Sequence, residues 1–365
     1  MSVSFLRNLI LLCVGIFVFP VTTGYFGISG REPVLIMTLG EHQRPMSNKI
    51  RSYAAPSVCD MLKLHGKQKR MCKRGKGVPE TLIDATKLSL SECQAKFQNE
   101  RWNCSMGIYR QNILRKSFKE TSFLYSITSA GLVHAFARAC SLQRLETCTC
   151  DESKNLTHRK TWGWGGCGDN IKFGLKFTRR FLGRARRSGK DVRAELDQHN
   201  INLGLKIVKD HVRTTCKCHG VSGSCTTKTC WRQLLPFSAI GKILKDKYER
   251  AVRVASFKNQ ATGRSRLVKF QKNSNALNVS FGISPKKGDL IYLENSPSFC
   301  KKTRYSPGTY GRHCIKDSSC DIVCCGRGYN IQNVVVKKSC ECRVIWCCYV
   351  KCKQCNVTEE VHTCK

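Results

Sequence analysis

Acidic side chains are scarce in this sequence: 25 Asp and Glu stand against 63 Lys and Arg, a formal net charge of +38 over 365 residues. So one-sided a chain repels other cations and collects polyanions. The cations come in runs, at Lys67-Gln68-Lys69-Arg70, Arg184-Ala185-Arg186-Arg187 and Lys242 through Arg253. No aromatic interleaving or helix-turn-helix pattern accompanies them, which sets nucleic acid aside as a partner. Beyond residue 19 there is no apolar run long and clean enough to cross a hydrocarbon layer of about 30 Å. Cysteine, abundant elsewhere, is absent from 236–299.

What is present begins with a targeting signal. Arg7 precedes an apolar run from Leu9 to Phe19, followed by Pro20 and the small residues Val21-Thr22-Thr23-Gly24. That order predicts a secretory signal peptide over 1–24, with the mature chain starting near Tyr25. Of 25 cysteines, Cys13 leaves with the signal and 24 remain, an even number. In an oxidising lumen such a set reads as a disulfide framework, where in the cytosol it would read as thiolate metal sites. For a secreted cation the polyanion at hand is heparan sulfate, held through charge contacts that weaken steeply with salt.

Cysteine density divides the mature chain. Residues 25–235 carry twelve cysteines, 300–365 carry the other twelve, and 236–299 reads as a linker region. The first part has helical periodicity in four places: from about Lys116 to Ala139, after Lys190 on the stripe Leu196, Leu203 and Ile207, from Pro79 through Phe97, and over Ile171 to Leu182. These stripes predict the core faces of a helical bundle, with Pro79 suited to a first turn. The segment Phe237 to Val254 is basic and amphipathic, and Asp289 to Leu293 reads as a strand. In 300–365 the runs Val334-Val335-Val336 and Val344-Ile345-Trp346 favour short strands, and the cystines must supply rigidity that a small core cannot. The fold class is α+β and disulfide-rich.

The most informative segment runs from Cys216 to Trp231, with Cys216, Cys218, Cys225 and Cys230 around His219-Gly220-Val221-Ser222-Gly223-Ser224. Nested pairing of these cysteines would close a hairpin tipped by Ser222, and the glycines on either side would leave its hydroxyl unshielded. Three readings stand for Ser222. A hydrolase nucleophile, with His219 or His211 as base, would need a Gly-x-Ser-x-Gly elbow, but the fifth residue is Ser224 and no acidic partner is identifiable. A polar turn serine is the plainest reading. The third is an acceptor hydroxyl acylated by another enzyme. No catalytic role is predicted for the chain.

The block Cys216 to Cys225, Cys-Lys-Cys-His-Gly-Val-Ser-Gly-Ser-Cys, resembles the signature of Wnt proteins. Further matches follow in order: Phe97-Gln-Asn-Glu-Arg-Trp-Asn-Cys104, Trp162-Gly-Trp-Gly-Gly-Cys167, Cys324-Cys-Gly-Arg-Gly-Tyr329 and Val361-His-Thr-Cys-Lys365. The opening Tyr25 to Pro33 looks most like the ninth vertebrate class of that family. The resemblance implies that Ser222 carries a monounsaturated fatty acyl ester, the one covalent group expected, with no other cofactor. It also implies a pairing: Cys59 with Cys72, Cys93 with Cys104, Cys140 with Cys148, Cys150 with Cys167, Cys216 with Cys230, and Cys218 with Cys225. In the C-terminal part it implies Cys300 with Cys325, Cys314 with Cys320, Cys324 with Cys364, Cys340 with Cys355, Cys342 with Cys352, and Cys347 with Cys348.

A bond between adjacent Cys347 and Cys348 would force a tight turn at the tip of a hairpin over 342–352. Trp346, Tyr349 and Val350 would then be displayed as binding anchors. The resemblance makes this tip a second contact with the cysteine-rich domain of Frizzled receptors. A zinc site at Cys352, Cys355 and His362 has ligand spacing, but secretion and the adjacent cysteine pair favour cystines, so no metal is expected. Asn103, Asn155, Asn278 and Asn356 each begin a glycan acceptor sequence. The implied partners are Frizzled and low-density-lipoprotein-receptor-related co-receptors, a membrane-bound acyltransferase, a carrier for secretion and an extracellular carboxylesterase. The implied place of action is the extracellular space and matrix, in developmental signalling.

Overall fold

A computed structural model describes residues 58–59, 62, 64, 66–151, 162–183, 191–258, 265–270, 283–345 and 349–365, with backbone alone at 162–165. The expected signal peptide, Asn155, Asn278, the run Arg184 to Arg187 and the tip residues Trp346, Cys347 and Cys348 lie outside these. Among the described residues no helix is long and apolar enough to cross a membrane.

The N-terminal part is built around one long helix. Helices α1 (Gly66–Arg74), α2 (Val78–Lys96) and α3 (Ile108–Leu114) lead to α4 (Lys119–Ser141). Strand β1 (Trp162–Gly165) and helices α5 (Ile171–Leu182) and α6 (Val192–Asp210) follow. Both later helices start on side-chain caps: Asn170 Oδ1 accepts from Phe173 N, and Asp191 Oδ1 from Arg193 N and Ala194 N, satisfying donors that a helix start leaves open. Helix α4 is buried on nearly every side because α2, α5 and α6 pack around it. Its Phe123, Ile127, Ala130, Val133 and Ala137 enter one apolar cluster, and Leu132 and Phe136 another. Its small polar residues close the seams, with Ser126 Oγ donating to Asn200 O at 2.8 Å and Ser129 Oγ to Ile201 O at 3.1 Å. The four helical stripes expected from periodicity thus fall on α2, α4, α5 and α6.

Residues 236–299 correct the expectation of a linker. Helix α7 (Phe237–Glu249) sends Phe237, Ile240, Leu244 and Tyr248 into the main cluster. The Tyr248 ring meets Phe97 edge to face at 4.9 Å and Phe123 at 5.8 Å. Strands β4 (Val252–Lys258), β5 (Ser265–Lys269) and β6 (Ile291–Tyr292) form a sheet of order β5-β4-β6. Val254, Leu267 and Ile291 of that sheet close over Leu196 of α6. The buried Asn200 side chain clamps Ile291, accepting from its N at 3.1 Å and donating to its O at 3.0 Å. The described residues of 236–299 pack with the helical domain. Their cohesion is apolar burial and hydrogen bonding, so a cysteine-free stretch was no sign of a spacer.

The C-terminal part has a small core of Cys314, Cys320, Val323, Cys324 and Cys364. It holds β7 (His313–Cys314), the single turn α8 (Cys320–Val323) and a long ribbon of β8 (Tyr329–Ile345) and β9 (Tyr349–Cys364), in the order β7-β9-β8. Bridges join Cys59 to Cys72, Cys93 to Cys104 and Cys140 to Cys148 in the helical part. In the C-terminal part they join Cys300 to Cys325, Cys314 to Cys320, Cys324 to Cys364, Cys340 to Cys355 and Cys342 to Cys352. Cys352 and Cys355 are therefore cystines, not metal ligands.

One expected bridge within the described residues is not formed. Cys150 and Cys167 are not joined. Their neighbours Asp151 and Gly168 exchange backbone hydrogen bonds at 2.9 and 3.2 Å. The Cys167 thiol instead lies 3.5 Å from Ser141 O.

Candidate functional site

The segment around Ser222 is a hairpin with its base locked in the helical domain. Strands β2 (Val212–Cys218) and β3 (Thr227–Leu234) pair antiparallel, with Cys216 opposite Cys230, and β1 joins β3 in parallel. Asp169 holds the base: its Oδ2 accepts from Leu234 N at 2.9 Å, its backbone N donates to Arg232 O at 2.9 Å, and Ser141 Oγ donates to its Oδ1 at 2.8 Å. His134 Nε2 meets Leu235 O at 3.0 Å, and burial lowers that imidazole's pKa. Sequence reasoning passed over Asp169. Its signal was the Asp169-Asn170 pair immediately before an amphipathic helix, the pattern of a helix start.

Two bridges staple the arm, Cys216 to Cys230 with Cα atoms 4.1 Å apart and Cys218 to Cys225 at 4.6 Å. Beyond them the tip closes on its own backbone. His219 N donates to Thr227 O, Gly220 N to Ser224 O, Gly223 N to Gly220 O and Ser224 N to Val221 O, all within 3.1 Å. A Cβ at Gly220 would lie 2.0 Å from Ser224 Oγ and 2.5 Å from Ser224 O, so only glycine allows this closure. At the summit Val221 is 88% exposed and Ser222 is exposed beside it. Ser222 sits at φ 56°, ψ 27°, a left-handed conformation that a non-glycine residue adopts at a cost. Among the described residues none hydrogen-bonds its hydroxyl.

This arrangement displays an alcohol; it does not activate one. His219 Nε2 is taken up by Thr229 Oγ1 at 2.9 Å and His211 Nδ1 by Ile207 O at 2.9 Å. Neither of these ring nitrogens is bonded to Ser222.

The second candidate surface is the end of the β8–β9 ribbon. Its two strands pair from Tyr329 opposite Cys364 to Ile345 opposite Tyr349, with a register shift between Cys340 and Arg343. At roughly 3.3 Å per residue it reaches about 50 Å, and most of its length is exposed on both faces. The cystines Cys340–Cys355 and Cys342–Cys352 brace the distal end. Val344 is 81% exposed, and its partner Val350 and neighbour Tyr349 are each 60% exposed. An isolated two-stranded ribbon is marginal in water, so cystines substitute for the layer that would otherwise cover it.

Of the glycan acceptors, Asn356 stands exposed on β9 opposite Lys337. Asn103 is half-buried, and its side-chain oxygen accepts from Ser105 Oγ, the hydroxyl of the same acceptor sequence.

The wnt family model matches residues 60–365. Protein Wnt-9a of Gallus gallus is 52% identical over 345 residues, spanning 94% of this chain and 95% of its own length. Protein Wnt-9b of Homo sapiens is 49% identical over 342 residues, 93% of each. A solved structure of human WLS in complex with WNT8A aligns with 32% identity and a TM-score of 0.56, covering 79% of this chain and 94% of the matched one.

Proposed function

This chain belongs to the Wnt family of secreted signalling ligands, most similar to its ninth class, and from that premise we propose that it signals through a fatty acyl group esterified to Ser222. The observation that carries the reading is an exposed hydroxyl without a hydrogen-bond partner among the described residues, raised on a doubly stapled hairpin in a left-handed backbone. A serine meant for local structure would bond its own turn, as Ser224 Oγ does with Thr226 Oγ1 at 3.2 Å. An acceptor must instead leave Oγ open so that its proton can be exchanged for an acyl group. A membrane-bound acyltransferase would supply that monounsaturated chain, and an extracellular carboxylesterase would remove it.

Binding then follows from two surfaces. An acyl chain contributes roughly 0.8 kcal/mol per buried methylene, so a chain of about a dozen offers on the order of 10 kcal/mol before ordering costs. The partner is the cysteine-rich domain of a Frizzled receptor, with the ribbon end at Val344, Tyr349 and Val350, and Trp346 to Cys348 between them in sequence, as the second contact. A low-density-lipoprotein-receptor-related co-receptor completes the assembly. A chain so burdened needs a membrane carrier on its way out, which the structure of a relative in complex with WLS supports. Heparan sulfate retains the cationic protein in the matrix.

The test is Ser222→Ala, read by intact mass of the secreted protein and by receptor signalling. The expected result is loss of the acyl mass and of signalling, with the disulfide map unchanged. A fully active Ser222→Ala protein, or acyl mass that persists in it, would overturn the reading.

A further inference from the structure

The three basic runs of the sequence do not have equal claims on a polyanion. On α7 and its exit the cations are interleaved with the acidic Asp246 and Glu249, and Lys245, Arg250 and Arg253 are drawn inward or locally engaged. Lys245 binds Glu100 at 2.8 Å and Glu249 at 2.6 Å and lies over the Phe97 and Tyr248 rings. Arg250 Nε caps its own helix at Asp246 O, and Arg253 stacks on Phe270 at 4.5 Å. The run Arg184 to Arg187 lies outside the described residues.

Helices α1 and α5 differ. Neither contains an acidic residue. They meet where Gln68 Nε2 donates to Phe181 O at 3.2 Å, and Cys72 of one and Phe177 and Phe181 of the other enter the same apolar cluster. With their buried stripes on one core, their exposed stripes face outward together. On α5 the exposed cations are Lys172, Lys176, Arg179 and Arg180, and on α1 they include Lys67, Arg70 and Arg74. None of these has an acidic partner among the described residues.

Helix-end stabilisation accounts for part of this set. A cation in the last turn complements the helix dipole, which suits Arg74, Arg179 and Arg180. Lys67 and Lys172 stand in first turns, where the same dipole opposes them, and Arg70 and Lys176 lie between. Cations kept where the fold gains nothing from them are available for a ligand. We propose that α1 and α5 together form the binding site for a sulfated glycosaminoglycan, with sulfate and carboxylate groups running along Lys67, Arg70, Lys172 and Lys176. The proposal rests on the heparan sulfate reading above and assigns it to one face. A chain of regularly spaced anionic groups suits two adjacent cationic stripes, and the solvated, half-screened contacts fit a ligand held by many weak ion pairs.

The experiment uses the full secreted protein carrying Ser222→Ala, so that the lipid cannot drive retention. One variant replaces Lys67, Arg70, Lys172 and Lys176 by Gln. A second replaces Lys242, Lys247 and Arg250 by Gln. A third carries Lys172→Arg and Lys176→Arg. Each is measured for affinity to a size-defined heparin oligosaccharide across a salt series. The first variant should bind roughly tenfold more weakly at physiological salt, the effect of losing several surface ion pairs, with a shallower salt dependence. The second should change little, and the third should match the parent. Equal losses in the first and second variants, or none in the first, would overturn the site. Failure of the parent to bind heparin would sink the glycan reading and the site with it. Vesicles containing phosphatidylserine form the last arm: anionic vesicles that bind the parent as tightly as heparin, and lose binding in the first variant, would assign the face to lipid instead.

Discussion

Gly220 and Gly223 flank Val221 and Ser222 and do different work. Gly223 has φ +77° with open space where a Cβ would go, so alanine there costs about 1 kcal/mol of backbone strain and little else. Gly220 has φ −72°, an ordinary value, but a Cβ would collide with Ser224 Oγ and its carbonyl. The expected outcome is that Gly220→Ala sharply lowers the acylated fraction with Ser222 intact, while Gly223→Ala lowers it mildly. Intact-mass analysis of both secreted proteins checks this, and equal acylation in the two would contradict the roles assigned. The exposed hairpin tip at Ser222 was legible from its flanking glycines and cysteines. Its left-handed backbone was not, because serine is seldom found there and only the closed tip imposes it.

Among elements, periodicity carried the helices well because each buries a continuous stripe. It carried Phe237 to Glu249 too, yet cysteine spacing led to the opposite inference about its surroundings. The sheet β5-β4-β6 is short and its docking depends on Asn200, a buried amide that no spacing rule singles out. The C-terminal ribbon shows the converse. Its β-favouring valines were legible, but its length was not, since exposure on both faces removes the alternation by which strands are recognised. The same exposure makes it suited to contact. Tyr349→Ala and Val344→Ala should weaken affinity for the receptor's cysteine-rich domain by roughly tenfold or more when combined, as expected for anchors at an interface centre. Secreted yield should be unchanged, because both side chains face solvent. Normal yield with unchanged affinity would remove this tip from the interface.

Across the whole molecule, the two parts are joined by backbone as much as by side chains. Arg312 donates from Nη1 to Glu100 O and Arg101 O and from Nη2 to Gln98 O, at 2.7 to 2.9 Å, and half-burial lowers its pKa. Arg101 returns a bond to Ile322 O at 3.0 Å. These contacts bind the C-terminal part to the chain just after α2. The helical part has its own charged seam between α4 and α6. There burial pushes the Asp197 carboxyl up to about 7, with Arg193 at 4.0 Å and the Tyr125 hydroxyl drawing it partly back. Burial raises Glu120 in the same direction, against hydrogen bonds from Tyr248 and Ser296.

The sign of the consequence is fixed by linkage. Folded Asp197 holds its proton up to about pH 7, whereas the unfolded side chain releases it near 3.8. Between those values the folded state binds more protons, so this group's contribution is full below about pH 4 and is lost as pH rises through about 7. Asp197→Asn removes the ionisable group while keeping its size. The variant should therefore gain on the parent as pH rises from about 4 to 8, and Glu120 should leave a residual slope of the same sign in both proteins. Thermal unfolding of parent and variant at pH 5 and pH 8, with disulfides intact, measures it. A difference between the two proteins that stayed constant with pH would show that Asp197 is already ionised in the fold, with Arg193 outweighing its burial.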